Sequence, residues 1–231
     1  MIAMAHVDAK GVRTGEELVE KGVFTDEEYR QFSRYKHKDL APYGMAMDRS
    51  GNPWVVNAWS PRVVKVHVQD SDRVEFFDYT PPGISGACSY GMTIGCDGKV
   101  YLAGQGCLAR LDPQEMDPQR RWVFQELIRP FVGNATGYLR GIAVDSKLGL
   151  WIADSHGHRL FALSAWGAMP TTQPLTGAFP IGAAIDADDF PWLIGNYSGK
   201  AHKFMQTMNP PMPLAAVSVG VGPYTYSDMS G

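Results

Sequence analysis

The chain has few cysteines. Cys88, Cys96 and Cys107 are an odd number in one short stretch, with neither a paired CxxC nor a CxxC followed by histidines. That pattern excludes the usual zinc modules and leaves the redox compartment open. An excess of one charge is also missing: 21 Lys+Arg against 24 Asp+Glu give a net charge of −3, too near neutral for nucleic acid or an anionic membrane surface to be the main partner. The longest apolar stretch, around Pro213 to Val221, is far short of the roughly 20 residues that cross a bilayer, so no membrane span is expected. Met1 to Ala5 is apolar but gives way at once to His6, Asp8 and Lys10, so no signal peptide is read in this chain; an extracytoplasmic location stays open if the N-terminus is truncated. What the chain does have is 45% apolar residues with 25 glycines and 16 prolines recurring at intervals. Those proportions exclude disorder driven by polarity and point to many short strands and turns around a core.

The glycines belong to an internal repeat. Gly44-Met-Ala-Met-Asp-Arg-Ser-Gly-Asn-Pro-Trp54, Gly91-Met-Thr-Ile-Gly-Cys-Asp-Gly-Lys-Val-Tyr101, Gly141-Ile-Ala-Val-Asp-Ser-Lys-Leu-Gly-Leu-Trp151 and Gly182-Ala-Ala-Ile-Asp-Ala-Asp-Asp-Phe-Pro-Trp192 align without gaps. Each ends on an aromatic residue ten places after its glycine, and the glycines lie 47, 50 and 41 residues apart. Pro223-Tyr224 echoes Pro42-Tyr43 and marks a fifth start. This period is that of a four-stranded propeller blade.

Each unit reads as strands A to D. An apolar strand A runs from the glycine to an Asp/Ser/Gly turn, whose side chains and permissive backbone suit a tight reversal. Strand B opens on the repeated aromatic. Strand C is clearest at Val63 to Val66 and Arg159 to Leu163, and strand D at Val74 to Phe77 and Trp122 to Gln125. The fold expected is all-β: a β-propeller with four blades near 41–80, 88–130, 138–177 and 179–220 and the first strand of a fifth at 222–231. Its repeated aromatics should pack between blades. Residues 1–40 do not fit the repeat. Thr14-Gly-Glu-Glu17 and Thr25-Asp-Glu-Glu28 are capping-box spacings, so this segment is read as α-helical, with short helices near 15–21 and 26–35 covering a sheet edge. Strands to complete a fifth blade are not visible there. An open arc, with self-association through its open blade edges, is the expectation.

Gly141 to Phe161 resembles an NHL unit, and the repeat as a whole resembles the propeller superfamily that contains virginiamycin B lyase (streptogramin lyase) and the NHL-repeat proteins. The resemblance covers about residues 41–231. It implies a propeller, and for a lyase it implies histidine and glutamate side chains with a magnesium ion at one mouth of the channel. Glutamate would be expected three places after the strand-B aromatic, where this chain has Asn57, Gly104, Asp154 and Gly195. Histidine would be expected just before the repeat glycine, where it has Tyr43, Tyr90, Arg140 and Ile181. The acid and base of an elimination are therefore not visible. A lactonase-type propeller would need a carboxylate-rich cage, and among these strand-B ends only Asp154 offers a carboxylate.

Because strands A and B are antiparallel, the start of A and the end of B share one face of the disc, which gathers loops from every blade. Tyr43, Tyr90, Arg140 and Tyr224 stand at the starts; Asn57, Trp59, Gln105, Asp154, His156, Asn196 and Tyr197 stand beyond the ends. Trp59, His156 and Tyr197 share one repeat position, where three rings could form a platform for a flat ligand, with Asn57, Gln105 and Asn196 bonding its edge. The plainer reading packs these rings on the next blade. Asp154, His156 and His158 are weak candidates for a divalent metal, or His156 could be a base oriented by Asp154. The plainer reading has Asp154 bonding loop amides with Arg140 as its ion-pair partner. Cys88 and Cys107 lie toward this face and Cys96 toward the opposite one, so Cys88 to Cys107 is the feasible bridge if the protein is exported, and free thiols are expected if it is cytosolic.

Two functions follow. One is a non-enzymatic propeller module that presents its loop face to a protein, peptide or glycan and needs no cofactor. The other is a virginiamycin B lyase-like or lactonase-like enzyme, with magnesium or another divalent metal, whose catalytic or metal-binding residues lie in blades absent from this chain.

Overall fold

The computed structural model describes residues 7–8, 11–12, 42–57, 61–68, 73–79, 88–104, 107–116, 122–128, 138–208 and 210–223. A two-stranded hairpin comes first, β1 (Val7–Asp8) with β2 (Gly11–Val12). Four four-stranded antiparallel sheets follow. They are β3 (Pro42–Met47), β4 (Pro53–Asn57), β5 (Arg62–His67) and β6 (Arg73–Asp78); β7 (Gly91–Ile94), β8 (Val100–Gly104), β9 (Cys107–Met116) and β10 (Trp122–Ile128); β11 (Leu139–Val144), β12 (Leu150–Asp154), β13 (Arg159–Leu163) and β14 (Thr171–Pro174); and β15 (Pro180–Ile185), β16 (Pro191–Gly195), β17 (Lys200–Met208) and β18 (Pro211–Ser218). Strand order in every sheet is the order of the chain. The helices expected near 15–21 and 26–35, and the strand expected from Tyr224, lie outside the described residues.

Hydrophobic cores lie between successive sheets, and the strand period of two distributes side chains between them. Val100 and Leu102 of β8 join Trp54, Val56 and Met92 in the core between blades one and two. Their neighbours Tyr101 and Ala103 turn to the core between blades two and three, where they meet Leu150 and Ile152 of β12. Trp151 and Ala153 in turn face Leu193 and Phe204 of blade four. β8 and β12 are consequently buried along their whole length. The aromatic that opens strand B thus points to the following blade in the first three units, and Trp192, on the last of the four described blades, is only half-buried. β18 beyond it exposes Met212, Leu214 and Val217.

The repeat signature has a chemical basis in the turn joining strands A and B. Asp145 accepts the amides of Lys147 and Gly149 at 2.9 and 2.7 Å and the Trp151 indole N–H at 3.0 Å. Asp48 does the same for Ser50, Asn52 and Trp54, and Asp186 for Asp188, Phe190 and Trp192. Blade two reaches the same end by another route: Asp97, two places later in its unit, accepts the Tyr101 hydroxyl at 2.9 Å. The aspartate and the aromatic six residues on are one device that seals the turn and orients the ring.

The repeat glycines let the inner strands approach one another. A Cβ on Gly44 would stand 2.5 Å from the Tyr90 carbonyl oxygen, and one on Gly91 would collide with the carbonyl oxygen of Arg140. Strands β3, β7, β11 and β15 accordingly pack in that order, and among the described residues no contact of that extent returns from β15 to β3. The blades therefore follow an arc, with one end of every inner strand on a common loop face.

Candidate functional site

Register brings the strand-B ends to the strand-A starts. Pro42 lies opposite Asn57, Leu139 opposite Asp154 and Pro180 opposite Gly195. The loop face is built on these pairs. Tyr43 and Tyr90, 47 residues apart in sequence, bond hydroxyl to hydroxyl with ring centroids 4.2 Å apart. Tyr90 meets the edge of Tyr138 at 5.4 Å, and Tyr138 lies 5.5 Å from His156. His156 is 6.2 Å from Phe179, which stacks on Tyr197 at 4.4 Å with 13° between the ring planes. The result is a continuous row of rings across all four blades.

Two members of that row, Tyr138 and Phe179, are not among the residues singled out from sequence. Both stand three places before a repeat glycine, two before the position that holds Arg140 and Ile181. An aromatic at that same position in both of these units was the available signal. Phe179 has a left-handed backbone, φ 46°, and its amide donates to His158 Nδ1 at 3.1 Å. His158 itself has φ 48°. Strained non-glycine backbone of this kind persists only where its surroundings hold it, here to set the Phe179 ring between His156 and Tyr197.

Of the three-ring platform, His156 and Tyr197 are exposed and are bridged by Phe179. Trp59 and Gln105 lie outside the described residues. Asn57 is buried, and Asn196 donates its Nδ2–H to the Pro223 carbonyl at 2.9 Å, tying the chain after β18 to the loop face.

Asp154 belongs to the fold. It is fully buried, its Oδ1 accepts the Gly157 amide at 3.0 Å and its Oδ2 accepts from Arg159 Nε at 2.8 Å. The ion-pair partner is therefore Arg159 and not Arg140, because Asp154 and Arg159 are direct partners across the β12–β13 turn. Next to Asp154, Ser155 is also buried, with its hydroxyl donating to the Pro180 carbonyl. His158 Nδ1 is taken by the Phe179 amide, and among the described residues no group of three or more His, Cys, Asp or Glu could hold a metal ion. The described residues do not fit the magnesium site that a lyase would need.

Arg140 lies at the centre of the row. Its guanidinium carbon is 5.1 Å from the Tyr90 ring centre and 5.0 Å from those of Tyr138 and Phe179. Cys88 and Cys107 form a disulfide with 5.6 Å between Cα atoms, and Cys96 is a free, exposed thiol. The bridge joins the approach to β7 with the start of β9 beneath the same face.

Residues 136–163 match the model of the NHL repeat. The fold is shared with a streptogramin B lyase, at TM-score 0.60 and 14% identity over 79% of this chain and 56% of that one. It is shared with the periplasmic gluconolactonase of Pseudomonas aeruginosa, at TM-score 0.58 and 13% identity over 80% of this chain and 59% of that one. A functionally unknown protein of Desulfotomaculum acetoxidans has TM-score 0.58 and 15% identity over 79% and 57%. The chain thus spans less than two thirds of each, and identities this low show the fold alone. No curated protein matches the sequence. Among the described residues no helix is long and apolar enough to cross a membrane.

Proposed function

We propose that this chain, an NHL-type propeller arc, is a non-enzymatic binding module whose loop face receives a protein, peptide or glycan. The observation that carries this reading is the unbroken row Tyr43, Tyr90, Tyr138, His156, Phe179 and Tyr197, supplied by four blades and ending in a Tyr197 that is 67% exposed. Rings of this kind contribute large contact area with little side-chain entropy to lose, and the hydroxyl and imidazole edges add directional bonds. The residues that looked most reactive in the sequence hold loops in place: Asp154 bonds Arg159, and His158 bonds the Phe179 amide.

Screening the full chain against glycan and peptide arrays, followed by calorimetric titration of each hit, tests the reading. Tyr197→Ala should weaken binding at least tenfold without changing the circular dichroism spectrum or the melting temperature. Hits insensitive to Tyr197→Ala would place binding elsewhere and sink it. The alternative, a lyase-like or lactonase-like activity, rests on the fold shared with a streptogramin B lyase and a gluconolactonase. Turnover of a cyclic ester or lactone that is lost on chelation would favour that alternative.

A further inference from the structure

We propose that Arg140 is the specificity-determining residue of the loop face and that it reads the carboxylate of an acidic sugar, a uronate lying against the neighbouring rings. The inference rests on the reading of this face as a ligand platform and adds the chemical class of the ligand.

Among the described residues no carboxylate pairs with Arg140, and its Nε is sealed from solvent without an acceptor. Asp154, the carboxylate nearest in the strand register, is consumed by Arg159. Arg110, whose Nε is also buried without a partner, differs in having the Tyr101 hydroxyl and the Asp112 charge beside it. For Arg140 the neighbours are instead the rings of Tyr90, Tyr138 and Phe179, from three successive blades. Ring faces stabilise a guanidinium across its plane and leave its N–H donors to a partner that lies in that plane. The partner that completes such an edge is planar and anionic, and a carboxylate meets the two-pronged geometry that a lysine could not read.

The surroundings select what carries the carboxylate. Beside Arg140 stands Phe179, held in a left-handed conformation by His158, with Tyr197 stacked on it and exposed. These are flat apolar surfaces next to a charge-reading fork, which suits a rigid ring bearing its acid group directly. A peptide would instead be expected to add to a sheet edge or lie in a groove. Here β11, which carries Arg140, is the edge of its sheet but lies between β7 and β15, so no strand can add beside it.

The test is calorimetric titration of the full chain with a galacturonate oligomer, a glucuronate-containing disaccharide and their neutral counterparts, in low salt and in 0.5 M salt. At least one acidic sugar should bind ten or more times tighter than its neutral counterpart, with the difference reduced by salt. Arg140→Gln should bring acidic and neutral sugars to the same affinity, and Arg140→Lys should restore only part of the gap. An unchanged melting temperature confirms that each variant is folded. Equal binding of acidic and neutral sugars, both weakened by Tyr197→Ala, would overturn the role of Arg140 and keep the platform. No sugar binding by the wild-type chain overturns the acidic sugar. Binding of poly-glutamate that depends on Arg140, with no sugar binding, would assign the site to an acidic peptide instead and likewise overturns the proposal.

Discussion

Asp189 holds Ser146 twice: Oδ1 accepts the Ser146 amide at 2.9 Å and Oδ2 its hydroxyl at 2.6 Å, across 43 residues of sequence. The pair joins the A–B turns of blades three and four on the face opposite the ring row. Asp189 has φ 66°, a conformation that brings its side chain across to the neighbouring turn. The contact is the last of a series, since Arg49 donates to the Cys96 carbonyl at 2.8 Å and the Cys96 thiol approaches the Ser146 carbonyl at 3.7 Å. Turns of all four blades are therefore linked, each to the next.

Asp189→Ala removes both bonds to Ser146 and a third from Gln206 Nε2, at 3.0 Å. For three partly solvated hydrogen bonds the expected loss is about 1 to 2 kcal/mol, and Ser146→Ala, which removes one, should cost about half as much. Urea unfolding reads this as a lower midpoint at constant slope. A wild-type midpoint for Asp189→Ala would mean that the blades are held together by their cores alone.

The turn aspartates predict a pH dependence. Burial opposes ionisation of Asp48, but hydrogen bonds from the Trp54 indole, from Asn52 and from Lys65 outweigh it and hold the carboxyl well below the usual range. Lys203 and then the Trp192 indole do the same for Asp186. Because the folded state lowers these values, the stabilisation is complete above the unfolded carboxyl value of about 4 and is lost as pH falls from there toward the folded values. The urea midpoint should be flat from pH 7 to about 5 and decline from about 5 to 3. The double variant Asp48→Asn, Asp186→Asn should start lower and decline less; an equally steep decline would assign the acid sensitivity to other groups.

The four sheets were legible in the sequence because one signal, glycine to aromatic at fixed spacing, recurs in phase and demands the same turn each time. Its two ends now have separate causes: Gly44 and Gly91 admit a neighbouring strand, and Trp54, Trp151 and Trp192 each deliver an N–H to an aspartate. The ring row was legible only in part. Tyr43, Tyr90, His156 and Tyr197 hold aligned repeat positions, whereas Tyr138 and Phe179 precede the aligned segment and do not recur in the first two units. The partner of Asp154 was misread because proximity at a strand end was inferred without register. Leu139, not Arg140, stands opposite Asp154 on β11, while Arg159 stands opposite it on β13.

The Cys88–Cys107 pairing follows from topology: one residue precedes strand A and the other begins strand C of the same blade, and both are fully buried. Cross-linking residues 19 apart should stabilise the fold by about 3 kcal/mol, so Cys88→Ala with Cys107→Ala should lower the unfolding midpoint accordingly. Thiol titration of the denatured, unreduced chain should find one free thiol, that of Cys96, and reduction should raise the count to all three cysteines. Three thiols before reduction would contradict the bond.

Substitutions of glycine separate the two demands that this fold makes on the residue. At Gly98 the backbone has φ 76° and an added Cβ meets nothing within 4 Å, so Gly98→Ala tests conformation alone and should cost about 1 kcal/mol. At Gly91 no such conformation is required, but an added Cβ runs into the Arg140 carbonyl and then approaches the Ile142 side chain at 3.4 Å. The obstacle is backbone of the next inner strand, which cannot yield as a flexible side chain would, so β7 and β11 must separate and loosen the core between blades two and three. Gly91→Ala should therefore cost more, about 3 kcal/mol, in the upper range for overpacking. Because Arg140 is carried on the strand displaced, the same variant should also disturb its ring contacts and weaken any anion held there, whereas Gly98→Ala, on the opposite face, should leave binding intact. Paired urea unfolding and ligand titration of the two variants check this; equal losses of stability, or weakened binding in Gly98→Ala, would remove the steric account of the repeat glycine.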